Sequence, residues 1–520
     1  MSSVASTASA ATDPKLNRGM ITISIMLATV IVAIDGTIAN VALPHMQGSL
    51  NASQDQITWV LTSFIVATAI ATPLTGWLSD RFGQKRLFLV SIAGFTLASV
   101  FCGVAGSLTE IVIARLLQGA LGAALVPLSQ ATLLDINPRE KHGSAMAVWG
   151  MGVMVGPILG PTLGGWLTDS YDWRWCFFIN VPVGAAALFG IWKYIPNQPA
   201  RHSVKFDVFG FAALSLAIGA LQMLLDRGQQ NDWFSATETW IEAIIAGISF
   251  GCFLIHTFTL PPGKSFFNYR LLLNPNFLTG LLFIFIVGMV LFATRALMPS
   301  MLQGLMGYSA MDAGIVTAPG GLGTMLSMLV VGRLVGKVDL RLILAVGFGL
   351  TAISLFMMCQ YTIDLSRMDI IWPAIIQGFG LGLVFVPLSA ASFATLPGEL
   401  RADGTSIYSL IRNIGSSIGI AMVQALQVAN TQAAHAGLVA NIAGSNPSMA
   451  NGMLAGTGSS AIALNGEITR QASMIAYIDN FQLMLVLTVL SMPLLLLIRQ
   501  PKKQAQSQEE KEQIEVAALE

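Results

Sequence analysis

Charge is scarce in this chain. Only 10% of its 520 residues are Asp, Glu, Lys or Arg, against about 25% in an ordinary soluble domain. The few charges cancel to a net of zero and form no basic patch, so the sequence offers nothing to nucleic acid. Cysteine is scarce as well: Cys102, Cys176, Cys252 and Cys359 sit in or beside apolar runs and form no C-x-x-C pair. That pattern supports neither a disulfide framework nor a zinc site, and small apolar packing residues are the reading it favours. No nucleotide-binding loop, metal cluster or long soluble domain is present, and GxGxxG-like stretches such as GLGTML lie inside apolar runs as packing glycines. A membrane enzyme or receptor is therefore unsupported, no cofactor or metal is expected, and any work the chain does must draw on an ion gradient.

What fills the sequence instead is apolar: 54% of residues are AVILMFWYC, 50 are Gly, and the mean hydropathy is +0.69. A span needs about 20 mostly apolar residues. Such runs lie near 20–43, 57–77, 87–106, 109–134, 143–167 and 174–195, then at 208–225 and 239–260, then at 277–303, 312–333, 341–361, 369–393, 404–428 and 478–499. The fold class that follows is an all-α polytopic membrane protein with 14 transmembrane helices. Twenty of the 27 Lys and Arg fall in loops on one side, four on the other (Arg174, Arg227, Arg367, Arg470) and three inside spans. Positive charge marks the cytoplasmic side, so both termini are expected there. The chain also repeats itself. GWLSDRFGQKRLFL at 76–89 returns as GRLVGKVDLRLIL at 332–344, and QGALGAALVPLS from Gln118 returns as QGFGLGLVFVPLS from Gln377. A six-span unit is thus duplicated around an insert, an arrangement typical of secondary transporters with a site between the halves. The expected division is a disordered N-tail 1–18, a six-helix bundle 19–206, two inserted helices 207–260, a second six-helix bundle 261–499 with a long outer loop 429–477, and a solvated tail 500–520.

Within ATVIVAIDGTIANVALP, residues 28–44, Asp35 is a lone carboxylate in a deeply apolar run. A charge there costs a few kcal/mol unless it faces protein or a wet cavity and finds a partner. Arg115 and Arg412, also inside spans, are the candidate partners, with a structural salt bridge as the plainer alternative. Gln118 lies three residues after Arg115 on the same helix face. In MGVMVGPILGPTLGGWL, Gly152, Gly156, Gly160 and Gly164 recur every four residues as one smooth packing face. Pro157 and Pro161 each remove a backbone bond there, and the helix is expected at the seam between halves. In GWLSDRFGQKR, Gly76 and Gly83 permit close approach and a tight turn, Asp80 can meet a helix end, and Arg81, Lys85 and Arg86 fit the orientation signal. The twin link departs from this: Gly336 stands in place of Asp80, and Asp339 in place of Gly83. Arg295 lies near an outer span end, where its side chain is expected to reach the interface; Asp226 and Arg227 mark another outer end as a local pair.

GWLSDRFGQKR resembles the cytoplasmic signature of the major facilitator superfamily. IARLLQGALGAAL resembles that family's fourth-span motif, MGVMVGPILGPTLGGWL its antiporter motif, and DGTIANVALP, WRWCFFINVPVG and LDRGQQNDWFS those of its fourteen-span, EmrB-type proton-coupled drug exporters. The resemblance covers roughly residues 15–500. It implies the major facilitator fold, two six-helix bundles plus two inserted helices, in a bacterial inner membrane. It implies a proton-coupled antiporter for drugs or other amphipathic compounds, with an uptake symporter or an exporter of one metabolite or lipid as the alternatives. Asp35 and Arg115 would couple to the proton. Asn40, Trp59, Gln118, Gln377 and Arg412 would line the substrate cavity. Gly76, Asp80, Arg81, Gly83 and Arg86 would gate, and the 151–167 helix would carry exchange. The partners implied are the proton, a lipophilic or amphipathic small molecule, membrane lipids, and a periplasmic adaptor (membrane fusion protein) with an outer-membrane channel, for which the 429–477 loop is either a docking surface or plain disorder.

Overall fold

The computed structural model describes residues 17–138, 141–197, 206–260, 265, 269–335, 337–445 and 458–498. The tails expected at 1–18 and 500–520 fall outside them except for Asn17 and Arg18. In chain order the helices are α1 (Arg18–Ser49), α2 (Gln54–Ile57), α3 (Trp59–Ala71), α4 (Leu74–Phe82), α5 (Gln84–Val104), α6 (Leu108–Gly122), α7 (Leu125–Ile136), α8 (His142–Ser170), α9 (Trp175–Phe178), α10 (Asn180–Tyr194), α11 (Val208–Arg227) and α12 (Thr237–Thr259). The second half holds α13 (Pro275–Gly304), α14 (Ala310–Leu334), α15 (Leu340–Met358), α16 (Arg367–Ala394), α17 (Arg401–Ser445) and α18 (Gly458–Ser491).

Local chemistry sets many of the helix starts. Asn17, Ser53, Ser107, Asp207, Asn274, Ser309, Asp339 and Ser366 each accept an amide of the first turn, which satisfies donors that a helix leaves orphaned. Asp339, the residue that replaces Gly83 in the second link, therefore works as a cap for α15. Gly83 itself has φ +86° and separates α4 from α5, a conformation that a Cβ would strain. Pro73 opens α4, and α3 and α4 meet at 58° there; the ring blocks continuation of the preceding helix.

Twelve helices among the described residues are long and apolar enough to cross a membrane, and the bent α3–α4 pair makes a thirteenth. The fourteenth expected crossing falls in α17, whose apolar content is diluted by Arg412, Asn413 and neighbouring Ser and Gly. Fourteen crossings fit this set. α1, α5, α6, α8 and α10 pack with α3 into one bundle, and α13 to α18 form the second. The bundles meet where α8 lies on α14 and α16 and where α4 and α7 lie on α17. The inserted α11 packs on α12, on α3 of the first bundle and on α17 of the second.

The outer region differs from the sequence expectation. Where a long loop was expected over 429–477, α17 continues to Ser445 and α18 begins at Gly458. Gln427 donates to the Ser473 carbonyl at 3.1 Å, and His435 meets Asn465 at 3.0 Å. The stretch is rich in Ala, a strong helix former, and two such helices side by side satisfy their backbones without an apolar core.

Candidate functional site

Asp35 of α1 is fully buried, and so is Arg115 of α6, at 0% and 1% exposure. Arg115 Nη1 donates to Asp35 Oδ2 at 2.6 Å. Asp35 Oδ1 accepts from Gln118 Nε2 at 2.9 Å and from Asn180 Nδ2, on α10, at 2.8 Å. Arg115 also donates to Gln118 Oε1 at 2.8 Å and, through Nε, to the Val60 carbonyl at 3.1 Å. The Phe64 ring lies 4.1 Å from its guanidinium carbon, a cation–π contact made stronger by desolvation. Around this core, Asn180 donates to Ser99 Oγ, which donates to the Phe177 carbonyl, both at 2.9 Å. Both carboxylate oxygens are thus bonded, and the guanidinium is engaged through Nη1 and Nε. The network ties α1, α6 and α10 together.

Several expectations are met here and several are not. Arg115 partners Asp35, whereas Arg412 of α17 does not touch it; the Arg412 carbonyl faces the Gly288 position of α13 instead. Gln118 was expected on the substrate cavity wall, but it is fully buried and wholly used by Asp35, Arg115 and Cys102. Asn180 belongs to the network although the sequence reading did not single it out. Its signal was available, a carboxamide inside the apolar run 174–195. Asn40 is exposed on α1, its amide reaching back to the Gly36 carbonyl at 3.4 Å, and nothing packs on Gly36. That face of α1 is open rather than closely packed. Gln377 of α16 lines a narrow apolar cleft with Val287, Leu291 and Phe348, and its side-chain nitrogen is buried without a partner.

The α8 glycines are placed differently from the expectation. Gly152, Gly156, Gly160 and Gly164 face Met26, Ala33, Thr37 and Ile38 of α1 within the first bundle, not the seam between halves. A Cβ at Gly156 would overlap the Ala33 carbonyl, and Thr37 donates to the Gly156 carbonyl at 3.0 Å. The seam is formed by the other faces of α8, where Pro161 approaches Gly314 and Ile158 approaches Gly321. α8 runs as one helix through Pro157 and Pro161.

At the face carrying the basic loops the two bundles are tied together. Arg401 donates to Asp135 at 2.8 Å and to the Leu134 carbonyl at 3.3 Å. Ser144 donates to the Gly332 carbonyl at 2.8 Å, and Trp149 stacks on Phe385 with centroids 5.8 Å apart. Gly76 sits against the Asp403 carboxylate at the start of α17. Burial, followed by the neighbouring Asp80 carboxylate, pushes Asp403 up to about 7. Arg81 is half-buried and Arg86 exposed in the same link.

On the opposite face Trp59 was expected in the central cavity; it lines instead a polar vestibule with Gln56, Thr58, Thr62, Arg227 and Gln230, and Arg227 lies 5.7 Å from its ring. Asp226 and Arg227 do not pair. Asp226 accepts from Gln222 at 2.9 Å, and Arg227 reaches Glu238 at 3.7 Å. Gln222 in turn accepts from Ser417 of α17 at 3.0 Å, so the inserted α11 is bonded to the second bundle. Arg295 is partly exposed. It turns across the seam, where Nη2 meets Met154 Sδ of α8 at 3.8 Å.

Comparison with known proteins gives consistent findings. A family model described as Major Facilitator Superfamily matches residues 25–420. The multidrug export protein EmrB of Escherichia coli is 38% identical over 432 residues, 82% of this chain and 84% of that one. The fatty acid resistance protein FarB of Neisseria gonorrhoeae is 35% identical over 407 residues, 78% and 80% of the two chains. Among solved structures, the human organic anion transporter MFSD10 aligns with a TM-score of 0.58 over 91% of this chain and 100% of that one, at 14% identity, a likeness of fold.

Proposed function

Since the chain belongs to the major facilitator superfamily, as an EmrB-like member and hence a multi-pass membrane transporter rather than an enzyme, we propose that it exports drugs or other amphipathic compounds in exchange for protons, by rocking of its two bundles. Asp35 is the proton acceptor, and Arg115, Gln118 and Asn180 read its charge state. The observation that carries this reading is the fully buried Asp35–Arg115 pair, whose 2.6 Å bond ties α1 to α6. A buried pair of this kind is weak support for stability alone and well suited to a switch. Proton binding converts a tied arrangement into a loosened one, which is the two-state element that coupling requires.

The ties at Arg401–Asp135 and Ser144–Gly332, with the close approach of Asp403 to Gly76, close the basic face. With that face cytoplasmic, by the Lys and Arg bias, and the membrane a bacterial inner membrane, this is an outward-facing form. The cargo enters from the cytoplasm or inner leaflet when these ties open. The paired extensions of α17 and α18 project on the outer side and offer a docking surface for a periplasmic adaptor that leads to an outer-membrane channel. Inverted membrane vesicles test the core of the reading: energised vesicles holding the wild type accumulate a lipophilic fluorescent probe and release protons, and Asp35→Asn abolishes both while the protein stays in the membrane. Wild-type accumulation by Asp35→Asn would defeat it.

A further inference from the structure

The polar vestibule on the face opposite the basic loops leads to a carboxylate outside the Asp35 network. It is a cavity of ≈ 230 Å³ lined by Gln56, Thr58, Trp59, Thr62, Arg227 and Gln230. The Thr62 hydroxyl on its wall lies against the Asp226 carboxyl at the end of α11. Asp226 Oδ1 accepts from Gln222 at 2.9 Å, while Oδ2 is buried with no partner. The charges around it are turned elsewhere. Arg227 reaches Glu238 of α12 at 3.7 Å, and Glu242 of α12 neighbours that pair. α3 carries no charged residue, and the charge of α17 nearest in sequence to Ser417 is Arg412, a fixed cation. A carboxylate oxygen buried without donor or counter-ion has its bonding completed by a proton, because a protonated carboxyl carries its own donor. Here the Thr62 oxygen stands ready to receive that donor.

One helix separates this carboxylate from the buried ion pair. Trp59 and Thr62 of α3 line the vestibule. On the same helix the Val60 carbonyl accepts from Arg115 at 3.1 Å and the Phe64 ring lies 4.1 Å from the guanidinium carbon. At 3.6 residues per turn Ser63 falls between these two faces, and its hydroxyl is buried without a partner. We infer that Asp226 is a second proton-binding site, the relay through which protons of the outer solution reach Asp35. A hydronium in the vestibule protonates Asp226 Oδ2 and becomes water. The carboxyl then passes that proton inward, past the Thr62 and Ser63 hydroxyls, to the Asp35 carboxylate, and returns to its own ionised form. No other bond changes and no further reactant is needed. With the basic face closed, this is a route from the outer side only. The inference rests on the reading of Asp35 as proton acceptor and adds the path by which it is loaded.

The test follows the loading of Asp35 directly. Purified full-length protein in detergent is dropped rapidly from about pH 8 to about pH 5, across the range of ordinary and raised carboxyl values. The carbonyl band of the protonated Asp35 carboxyl, identified by its loss in Asp35→Asn, is then timed by infrared absorption. Asp226→Asn keeps the side-chain shape and the bond from Gln222 and removes the proton site. Its Asp35 band is expected to reach the wild-type intensity about a hundredfold more slowly, the low end of what a positioned proton carrier contributes. Azide is a small proton carrier that fits the vestibule and absorbs outside the carbonyl region. It should restore the rate in Asp226→Asn in a saturable way, which a merely structural loss would not allow, and Asp226→Glu should keep most of the rate. An Asp35 band that rises at the wild-type rate in Asp226→Asn, or a slow rise that azide does not speed, overturns the inference. Should Asp226→Asn not fold, Thr62→Val, which removes only the hydroxyl beside the carboxyl, decides: it should slow the band, and a wild-type rate overturns the inference. Absence of any Asp35 band in the wild type defeats the proton reading of Asp35 itself. A normal band with an unaltered rate in Asp226→Asn leaves that reading standing and removes only the relay.

Discussion

Breaking the Asp35–Arg115 pair from one side is expected to cost far more than removing both charges. In Asp35→Asn the carboxamide still accepts from Gln118 or Asn180, but its NH2 opposes an Arg115 N–H donor. Arg115 keeps Gln118 Oε1 at 2.8 Å, the Val60 carbonyl at 3.1 Å and the Phe64 face at 4.1 Å. Those neutral contacts place the cost at the low end of the range for an orphaned buried charge, about 3 kcal/mol. Arg115→Gln leaves Asp35 with two amide donors, at 2.9 and 2.8 Å, and a similar cost. The double variant leaves no buried charge unpaired, so its loss should fall to about 1–2 kcal/mol, a coupling of about 4 kcal/mol or more between the two sites. Denaturant midpoints of the purified full-length protein in detergent, measured for the wild type, both single variants and the double variant, give that coupling as a rank order. Losses that simply add, with the double variant the least stable of the four, would refute the view that this pair is one electrostatic unit.

Four further outcomes follow from the geometry. Gly156→Val should disrupt the α1–α8 contact, since its side chain meets the Ala33 backbone, at roughly 1–3 kcal/mol or more for overpacking, while Gly152→Ala meets only the mobile end of Met26 and should keep near-wild-type expression and melting. Arg401→Gln removes the Asp135 tie between bundles, so a cysteine at Ser144 should react faster with a membrane-permeant maleimide than in the parent protein; an unchanged rate means the tie does not hold that face shut. The Asp403 carboxyl, held at about 7 in the closed arrangement against an ordinary 3.8, binds a proton between those values that an opened arrangement releases. The closed basic face should therefore weaken steadily from pH 3.8 to about 7 and level off above. Labelling at Ser144 should rise over that window, and Asp403→Asn should flatten the rise. Finally, deleting 435–470 should abolish export in cells that contain an adaptor while sparing transport in isolated vesicles; export intact in those cells removes the docking role from the hairpin.

The membrane architecture was legible because lipid imposes a length and a composition on every crossing, and the duplicated links exposed the two bundles. The Asp35–Arg115 pair was legible for a related reason, since an embedded charge must find its opposite and few were on offer. Distances between helices were not legible. Four glycines in register show that α8 has a smooth face, but the same stripe suits α1 or α14, and only the packing shows that α1 takes it. Likewise, Gln118 follows Arg115 on one face, yet nothing in the spacing says that Asp35 and Arg115 would consume both ends of its amide. The outer hairpin was missed because a low-charge stretch rich in Ala, Gly, Ser and Asn reads as loop by composition, while its Ala content and mutual packing hold two helices.

The two bundles, though duplicated in sequence, have diverged in charge. In the first bundle the interior pair Asp35–Arg115 sums to zero. In the second, Arg295 and Arg412 are fixed cations that do not titrate at physiological pH. The repeat of the Asp35 span, 277–303, contains no Asp or Glu. α8 is the element that touches both sets of charges. Its glycine face lies on α1, which carries Asp35, and its Met154 lies on Arg295. Any movement of α1 against α8 therefore reaches Arg295 through a single helix.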